Sequence, residues 1–379
     1  MERYLKKALL EDIQQKIILL TGPRQCGKTT LSLMLNDDHQ YLNYDLAEHR
    51  LLIAEKSWVR NKSLIILDEL HKMDEWKSWL KGIYDVEGIP PGLLVTGSAE
   101  LSAFRKTGDS LAGRHFQFRL HPLDLKEAID NTDLDTDEVF TRLMTTGGFP
   151  EPFLNGTQRY YNRWKRSHID LILKEDLVTL TAVRDIQSIE TLIEMLRSRV
   201  GSTVSTNSLA RDLQKSPNTI QHWLQLLAGL YVIFAVPPYH RNIARALLKQ
   251  PKYYFYDNGM VIGDDGAKLE NLVACAFLKE LHRLEDVEGE RPGIHFIRDK
   301  DEREIDFVIT RDGEPHHLVE VKWADTNLSA NLQRFLRGQP LKRTQIVAEL
   351  QQAKSYPGGE RIVPARQFLR DLPLLETSE

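Results

Sequence analysis

Short apolar runs alternate with amphipathic stretches along the first third of the chain. Residues 16–21, 40–44, 64–67, 92–96 and 115–120 read as strands. Between them residues 29–35 and 74–84 read as helices, the second carrying Trp76, Trp79, Leu80 and Ile83 at helical spacing. That alternation predicts a parallel sheet with helices laid over it. After Pro122 the pattern loosens through an acidic, turn-rich piece at 130–138. It is then punctuated by Gly147-Gly148-Phe149-Pro150, where a helical lid would hand over to the next unit. Residues 160–200 predict long amphipathic helices, with Ile169, Leu171, Ile172, Leu173, Leu177 and Leu180 toward a core.

A helix-turn-helix pattern follows. Residues 209–213 form a short helix, Ser216 caps the next, and Pro217 sits in its first turn, where a missing N–H is harmless. Ile220, Trp223, Leu224 and Leu227 share one face, Gly229 ends the helix, and 231–236 reads as a wing strand, which is a winged-helix pattern. The last third opens with a strand at 253–256, a loop at 263–266 and a helix at 269–282. Strands at 304–310 and 317–321 are joined by the turn 311–315, and a further run at 344–348 can pair with them. This predicts a separate small α/β unit. No internal repeat and no low-complexity stretch is visible.

Composition changes this picture in three ways. A chain of 379 residues exceeds one comfortable core, and 41% hydrophobic with 27% charged residues is the balance of folded domains, so two or three domains are expected and disorder is excluded. The net charge of -4 provides no global field for a polyanion, yet it is unevenly spread. Lys+Arg against Asp+Glu is 19 against 24 for residues 1–154, 13 against 7 for 155–250 and 18 against 23 for 251–379, so the middle third is basic. The two cysteines, Cys26 and Cys275, allow neither a disulfide framework nor a Cys-based zinc site, which points to a reducing compartment. The opening residues lack a signal-type apolar region. The charge-free run 216–240 holds Asn218, Gln221, His222 and Gln225 in its first half and is too short in apolar length to span a bilayer. A cytoplasmic location without membrane contact is the expectation.

The most specific chemistry lies near the start. Gly22-Pro23-Arg24-Gln25-Cys26-Gly27-Lys28-Thr29, followed by Thr30, fits a P-loop, after an apolar strand and before a helix. In such a loop backbone N–H groups close around phosphate oxygens, Lys28 reaches the outer phosphates and Thr29 ligates magnesium. The run 64–67 ends in Asp68 and Glu69. Asp68 suits the magnesium shell, and Glu69 suits orientation and deprotonation of an attacking water, so ATP and Mg2+ are the expected cofactors and hydrolysis the expected reaction. Thr96 or Ser98, at the end of the next strand, could contact the γ-phosphate. Arg114 lies where an arginine finger would reach a neighbouring copy's nucleotide, or else pairs with a surface carboxylate.

These residues, with Leu111-Ala112-Gly113-Arg114, Pro122-Leu123, Gly147-Gly148-Phe149-Pro150-Glu151, Leu173-Lys174-Glu175-Asp176-Leu177 and Tyr256-Asp257-Asn258-Gly259, resemble the bacterial and archaeal AAA-type ATPases with a conserved C-terminal domain of unknown function. The resemblance covers nearly the whole chain. It implies an AAA+ core, a winged-helix middle and a nuclease-like end; with the arginine-finger reading of Arg114, a homo-oligomer is expected. The corresponding boundaries are 1–150, 151–250 and 251–379.

In the last unit, Asp306 lies within one strand, and Glu320 and Lys322 end the following one on a shared face. Two carboxylates could hold a divalent metal against a scissile phosphate while Lys322 positions the attacking water. The pattern resembles the PD-(D/E)XK nuclease fold, with Glu270 on the preceding helix as an added acid, although Ile305 rather than proline precedes Asp306. A fold that grips DNA without cutting it is the competing expectation. Arg211, Lys215, Arg241 and Arg245 are candidates to meet DNA phosphates, as are Arg334, Arg337, Lys342 and Arg343. Two functions therefore stand at this point: an ATP-driven DNA-processing protein, and an ATP-controlled switch for a protein partner with a silent C-terminal domain.

Overall fold

The computed structural model describes residues 1–59, 61–97, 111–177, 185–240 and 250–375. Its contacts divide into two units, Met1–Pro122 with Gly229–Tyr231, and Leu123–Ala228 with Val232–Glu379. No helix among the described residues is long and apolar enough to cross a membrane.

In the first unit, α1 (Lys6–Asp12) leads into β1 (Ile17–Thr21), α2 (Lys28–Leu33), β2 (His39–Asn43), α3 (Ala47–Ala54), β3 (Leu64–Asp68), α4 (Trp76–Glu87), β4 (Gly92–Thr96) and β5 (His115–Arg119). The strands form a parallel sheet in the order β2-β3-β4-β1-β5. Every residue of β1, β3 and β4 is buried, whereas β2 and β5, at the edges, are partly open. That is why the central strands are unbroken apolar runs: helices cover both of their faces. Trp76, Leu80 and Ile83 of α4 pack with Ile65, Leu67, Leu93 and Val95. The register sets Asp68 opposite Thr96 and Leu20 opposite Thr96, so the polar ends of three adjacent strands meet at the carboxyl edge of the sheet. Ligands of open parallel sheets bind at that edge.

The second unit begins with α5 (Leu125–Asn131), α6 (Thr136–Thr145), α7 (Pro150–Asn155), α8 (Gln158–Leu171) and α9 (Ile186–Arg197). Asp124 and Asp135 cap α5 and α6 by accepting from Glu127 N and Glu138 N. The expected helix-turn-helix is present as α10 (Thr206–Asp212) and α11 (Pro217–Gly229), followed by the antiparallel pair β6 (Ile233–Val236) and β7 (Lys252–Phe255). Sequence reasoning assigned the 253–256 run to the last domain, but it pairs with β6. The aromatic alternation that marks it as a strand carries no information about its partner.

The C-terminal sheet follows α12 (Asp265–Glu288) and contains β8 (Pro292–Arg298), β9 (Glu304–Arg311), β10 (Glu314–Lys322), β11 (Lys342–Val347), β12 (Lys354–Ser355) and β13 (Glu360–Pro364), in the order β12-β13-β11-β10-β9-β8. Helices α13 (Ala330–Arg334) and α14 (Ala365–Asp371) complete it. Helix α12 starts inside the stretch expected to be a loop, because Asp264 accepts from Ala267 N and caps it there.

Two motifs that are distant in sequence meet within this unit. Asp257 accepts hydrogen bonds from Tyr161 Oη (2.8 Å) and Gly259 N (3.1 Å), and Asn258 donates to Leu143 O (3.1 Å). A Cβ on Gly147, whose φ is +71°, would stand 2.0 Å from Asp257 Oδ1, so only glycine fits. Burial raises the Asp257 carboxyl to about 6, against the pull of Tyr161 and Gly259.

Candidate functional site

The loop between β1 and α2 has the backbone that a phosphate cradle needs. Gln25 and Gly27 take positive φ (60° and 97°), and a Cβ on Gly22 would lie 2.2 Å from Leu120 O. Lys28 Nζ donates to Gly22 O (2.9 Å) and Pro23 O (2.7 Å), folded back over the loop it belongs to. Thr30 follows on α2, and the Cys26 side chain is buried against Leu120 O. The buried Arg3 guanidinium donates to Cys26 O (2.6 Å) and His121 O (2.5 Å).

Asp68 ends β3 at the centre of a hydrogen-bond set. Its Oδ2 accepts from Thr29 Oγ1 (3.0 Å) and Tyr41 Oη (2.7 Å), and its Oδ1 accepts from Thr96 Oγ1 and from Glu69 N (3.1 Å). Thr96 therefore orients Asp68 here. Ser98, the other candidate for the γ-phosphate contact, lies outside the described residues. Burial and Asp68 push the Tyr41 hydroxyl up to about 12, so it remains a donor. Glu69 turns into the left-handed region (φ 56°) and pairs with Lys72 (3.3 Å), which also holds Asp45 (2.7 Å). Burial raises the Glu69 carboxyl; Lys72 opposes that shift and Asp68 adds to it. Buried His71 stands 3.6 Å from Glu69 and is lowered to about 4 by burial and by Lys72, so it is neutral at physiological pH. The residues fit a magnesium nucleotide: a glycine that a Cβ would displace, a lysine over the loop, and a hydroxyl and carboxylate already side by side.

Arg114 donates to both carboxylate oxygens of Asp85 (2.6 and 3.1 Å). In the helix-turn-helix, Arg211 is exposed, Lys215 pairs with Asp185 (2.6 Å), and Arg241 and Arg245 lie outside the described residues. Arg343 is committed to α13 and the loop after it, donating to Leu332 O (3.0 Å), Leu336 O (2.9 Å) and Leu341 O (3.2 Å).

The C-terminal carboxylates Asp306, Glu320 and Glu270 lie near one another, with one addition. Asp306 Oδ2 accepts from Val321 N (2.8 Å), and Glu320 pairs with Lys322 (2.8 Å). Burial raises Asp306 well above the usual carboxylate range, with Glu270 and Glu320 adding to it; burial also raises Glu320. The addition is Lys252. Its side chain is fully buried and its Nζ pairs with Glu270 (3.1 Å), Asp306 (3.8 Å) and Glu304. Burial pulls the ammonium down, but the three carboxylates outweigh it and raise it. Among the described residues, no group of three or more His, Cys, Asp and Glu side chains is arranged to hold a metal ion. The metal expected at Asp306 and Glu320 therefore does not fit this arrangement, because a lysine is already among the carboxylates.

A family model described as AAA domain matches residues 14–129, the stretch that holds the P-loop, Asp68 and Glu69. Residues 14–129 are an AAA domain. Two domains of unknown function, DUF8612 and DUF4143, match 137–265 and 265–368. An uncharacterized protein of Mycobacterium tuberculosis is 26% identical over 93% of this chain and 81% of its own length. One of Methanocaldococcus jannaschii is 24% identical over 82% and 75%. Among solved structures, a Thermotoga maritima RuvB variant aligns over 62% of this chain and 87% of its own at 17% identity and TM-score 0.34. The Aeropyrum pernix ORC1 protein in complex with DNA aligns over 74% and 95% at 13% identity and TM-score 0.34.

Around the AAA domain's loop, sequence reasoning missed Arg3 and Tyr41. Arg3 lies in a charged opening that reads as solvated, and Tyr41 in an edge strand that reads as packing. Lys252 was also missed. A lysine opening an aromatic strand was its one signal, since lysine is almost never fully buried without a partner.

Proposed function

We propose that the protein hydrolyses ATP at its AAA domain and couples turnover to DNA held by its second unit. The observation that supports this most directly is Asp68, fixed by Thr29, Tyr41 and Thr96 at the mouth of the loop with Glu69 next to it. Magnesium, when bound, would neutralise phosphate charge during transfer. Lys28 would leave the carbonyls of Gly22 and Pro23 for phosphate oxygens, Thr29 and Asp68 would hold the ion, and Glu69 would accept the proton of the attacking water. The charge of Lys72 keeps Glu69 in place.

DNA as the partner is supported by the exposed face of α11. It presents Asn218, Gln221, His222 and Gln225 and no charge, and Asn and Gln amides are suited to base edges in a major groove. Exposed Arg211 supplies a phosphate contact. In this reading the C-terminal sheet grips without cutting. A protein-binding switch is the second reading, favoured by the pairing of Lys215 with Asp185 and of Arg199 with Asp212, which withdraws two cations from phosphate.

Steady-state ATP turnover with and without duplex DNA tests both. Turnover should rise with DNA and fall at least about 100-fold in Glu69→Gln, and Lys28→Ala should abolish it. Turnover that survives Lys28→Ala overturns the ATPase reading. Lys28-dependent turnover indifferent to every DNA form leaves the switch.

A further inference from the structure

We infer that Lys252 is the resident cation of the C-terminal carboxylate cluster, standing where a divalent ion would have to sit, so that this sheet holds Glu270, Glu304 and Asp306 together without metal and does not cut nucleic acid. This goes beyond the ATP reading and does not depend on it.

Three carboxylates and an aromatic ring surround the ammonium. It has three protons, and three carboxylates face it: Glu270 at 3.1 Å, Asp306 at 3.8 Å, and Glu304. The Phe296 ring lies 5.5 Å from Nζ and covers a further side. Two of the carboxylate oxygens accept from further donors. Glu270 Oε1 accepts from Tyr254 Oη (2.6 Å), and Asp306 Oδ2 accepts from Val321 N (2.8 Å). A Cβ on Gly201 would stand 2.6 Å from Glu270 Oε2, so the backbone there also closes on the cluster. A magnesium ion needs near-octahedral oxygens at about 2.1 Å. Here those oxygens are spread around a larger, organic cation.

Lys252 is also fixed in place. It opens β7, bridges to Thr203, and has a side chain with no exposure. Swinging it out to admit a metal would take a buried strand residue away from all its partners. Glu320 is the member that Lys252 does not reach by an ion pair. It pairs with Lys322, and its Oε2 has no hydrogen bond.

The test uses the full chain carrying Asp68→Asn, which removes the metal contact of the AAA domain, and follows free Mn2+ by electron paramagnetic resonance. The Lys252-containing chain should take up no stoichiometric Mn2+. Adding Lys252→Gln should create one bound equivalent, which Asp306→Asn then abolishes. Supercoiled DNA incubated with the wild-type chain and Mg2+ or Mn2+ should stay intact. The inference is overturned if the Lys252-containing chain binds an equivalent of Mn2+ that Asp306→Asn or Glu320→Gln removes, if it nicks DNA in an Asp306-dependent manner, or if folded Lys252→Gln binds none. Should Lys252→Gln not fold, uptake and nicking by the Lys252-containing chain decide the question alone.

Discussion

The guanidinium of Arg3 ties the carbonyl of Cys26 to that of His121, and its Nη1 would lie 3.1 Å from a Cβ on Gly27, so the space left by that glycine is part of its seat. Loss of the guanidinium leaves two buried carbonyls short of a donor, at about 1–3 kcal/mol for each group left unsatisfied. Arg3 touches the loop through the Cys26 carbonyl, so it positions the loop. Arg3→Ala should therefore raise KM for ATP by about tenfold while kcat changes little, with partial recovery in Arg3→Lys. Steady-state kinetics on the three proteins check this; a fall in kcat at constant KM would place Arg3 in the chemistry instead.

At the scale of elements, the second helix of the helix-turn-helix starts at a serine cap. Ser216 Oγ accepts from Thr219 N (3.0 Å) at the start of α11, whose first turn contains no acidic residue to help. Ser216→Ala should lower stability by about 1 kcal/mol, read as a shift in urea midpoint at constant slope. If α11 is the DNA-reading element, DNA stimulation of turnover should weaken with it.

What could be read from sequence follows burial. Strands β1, β3 and β4 are covered on both faces, so their apolar runs announce them, and the P-loop and Asp68-Glu69 lie at their ends. Strand β8 mixes Gly293 and His295 with apolar residues and β13 begins with Glu360, so neither gives a clean period. The aim of Asp306 was not legible either. His295 pairs with Val308 and Ile297 with Ile305, so Asp306 and Phe307 stand against Phe296 alone. This bulge exists only once β8 and β9 meet, and a bulge re-aims side chains.

At the scale of the whole molecule, the finger role expected of Arg114 requires a second copy of the chain. The pairing of Arg114 with Asp85 is exposed and inexpensive to break, so a neighbour's nucleotide could draw it away. Arg114→Ala and Lys28→Ala chains should each be inactive alone and regain ATP turnover when mixed, since one supplies an intact loop and the other an intact arginine. Normal turnover by Arg114→Ala alone would reject the finger role.

The seat of Asp257 against Gly147 also bears on how the protein can be divided. A fragment beginning at Leu123 keeps both halves of that seat. One beginning at Glu151 would lose Gly147 and the Leu143 carbonyl that receives Asn258, opening to water a carboxyl that the fold keeps dry. Scissors placed at the glycine pair would thus cut through a core, whereas the natural seam runs just past Pro122.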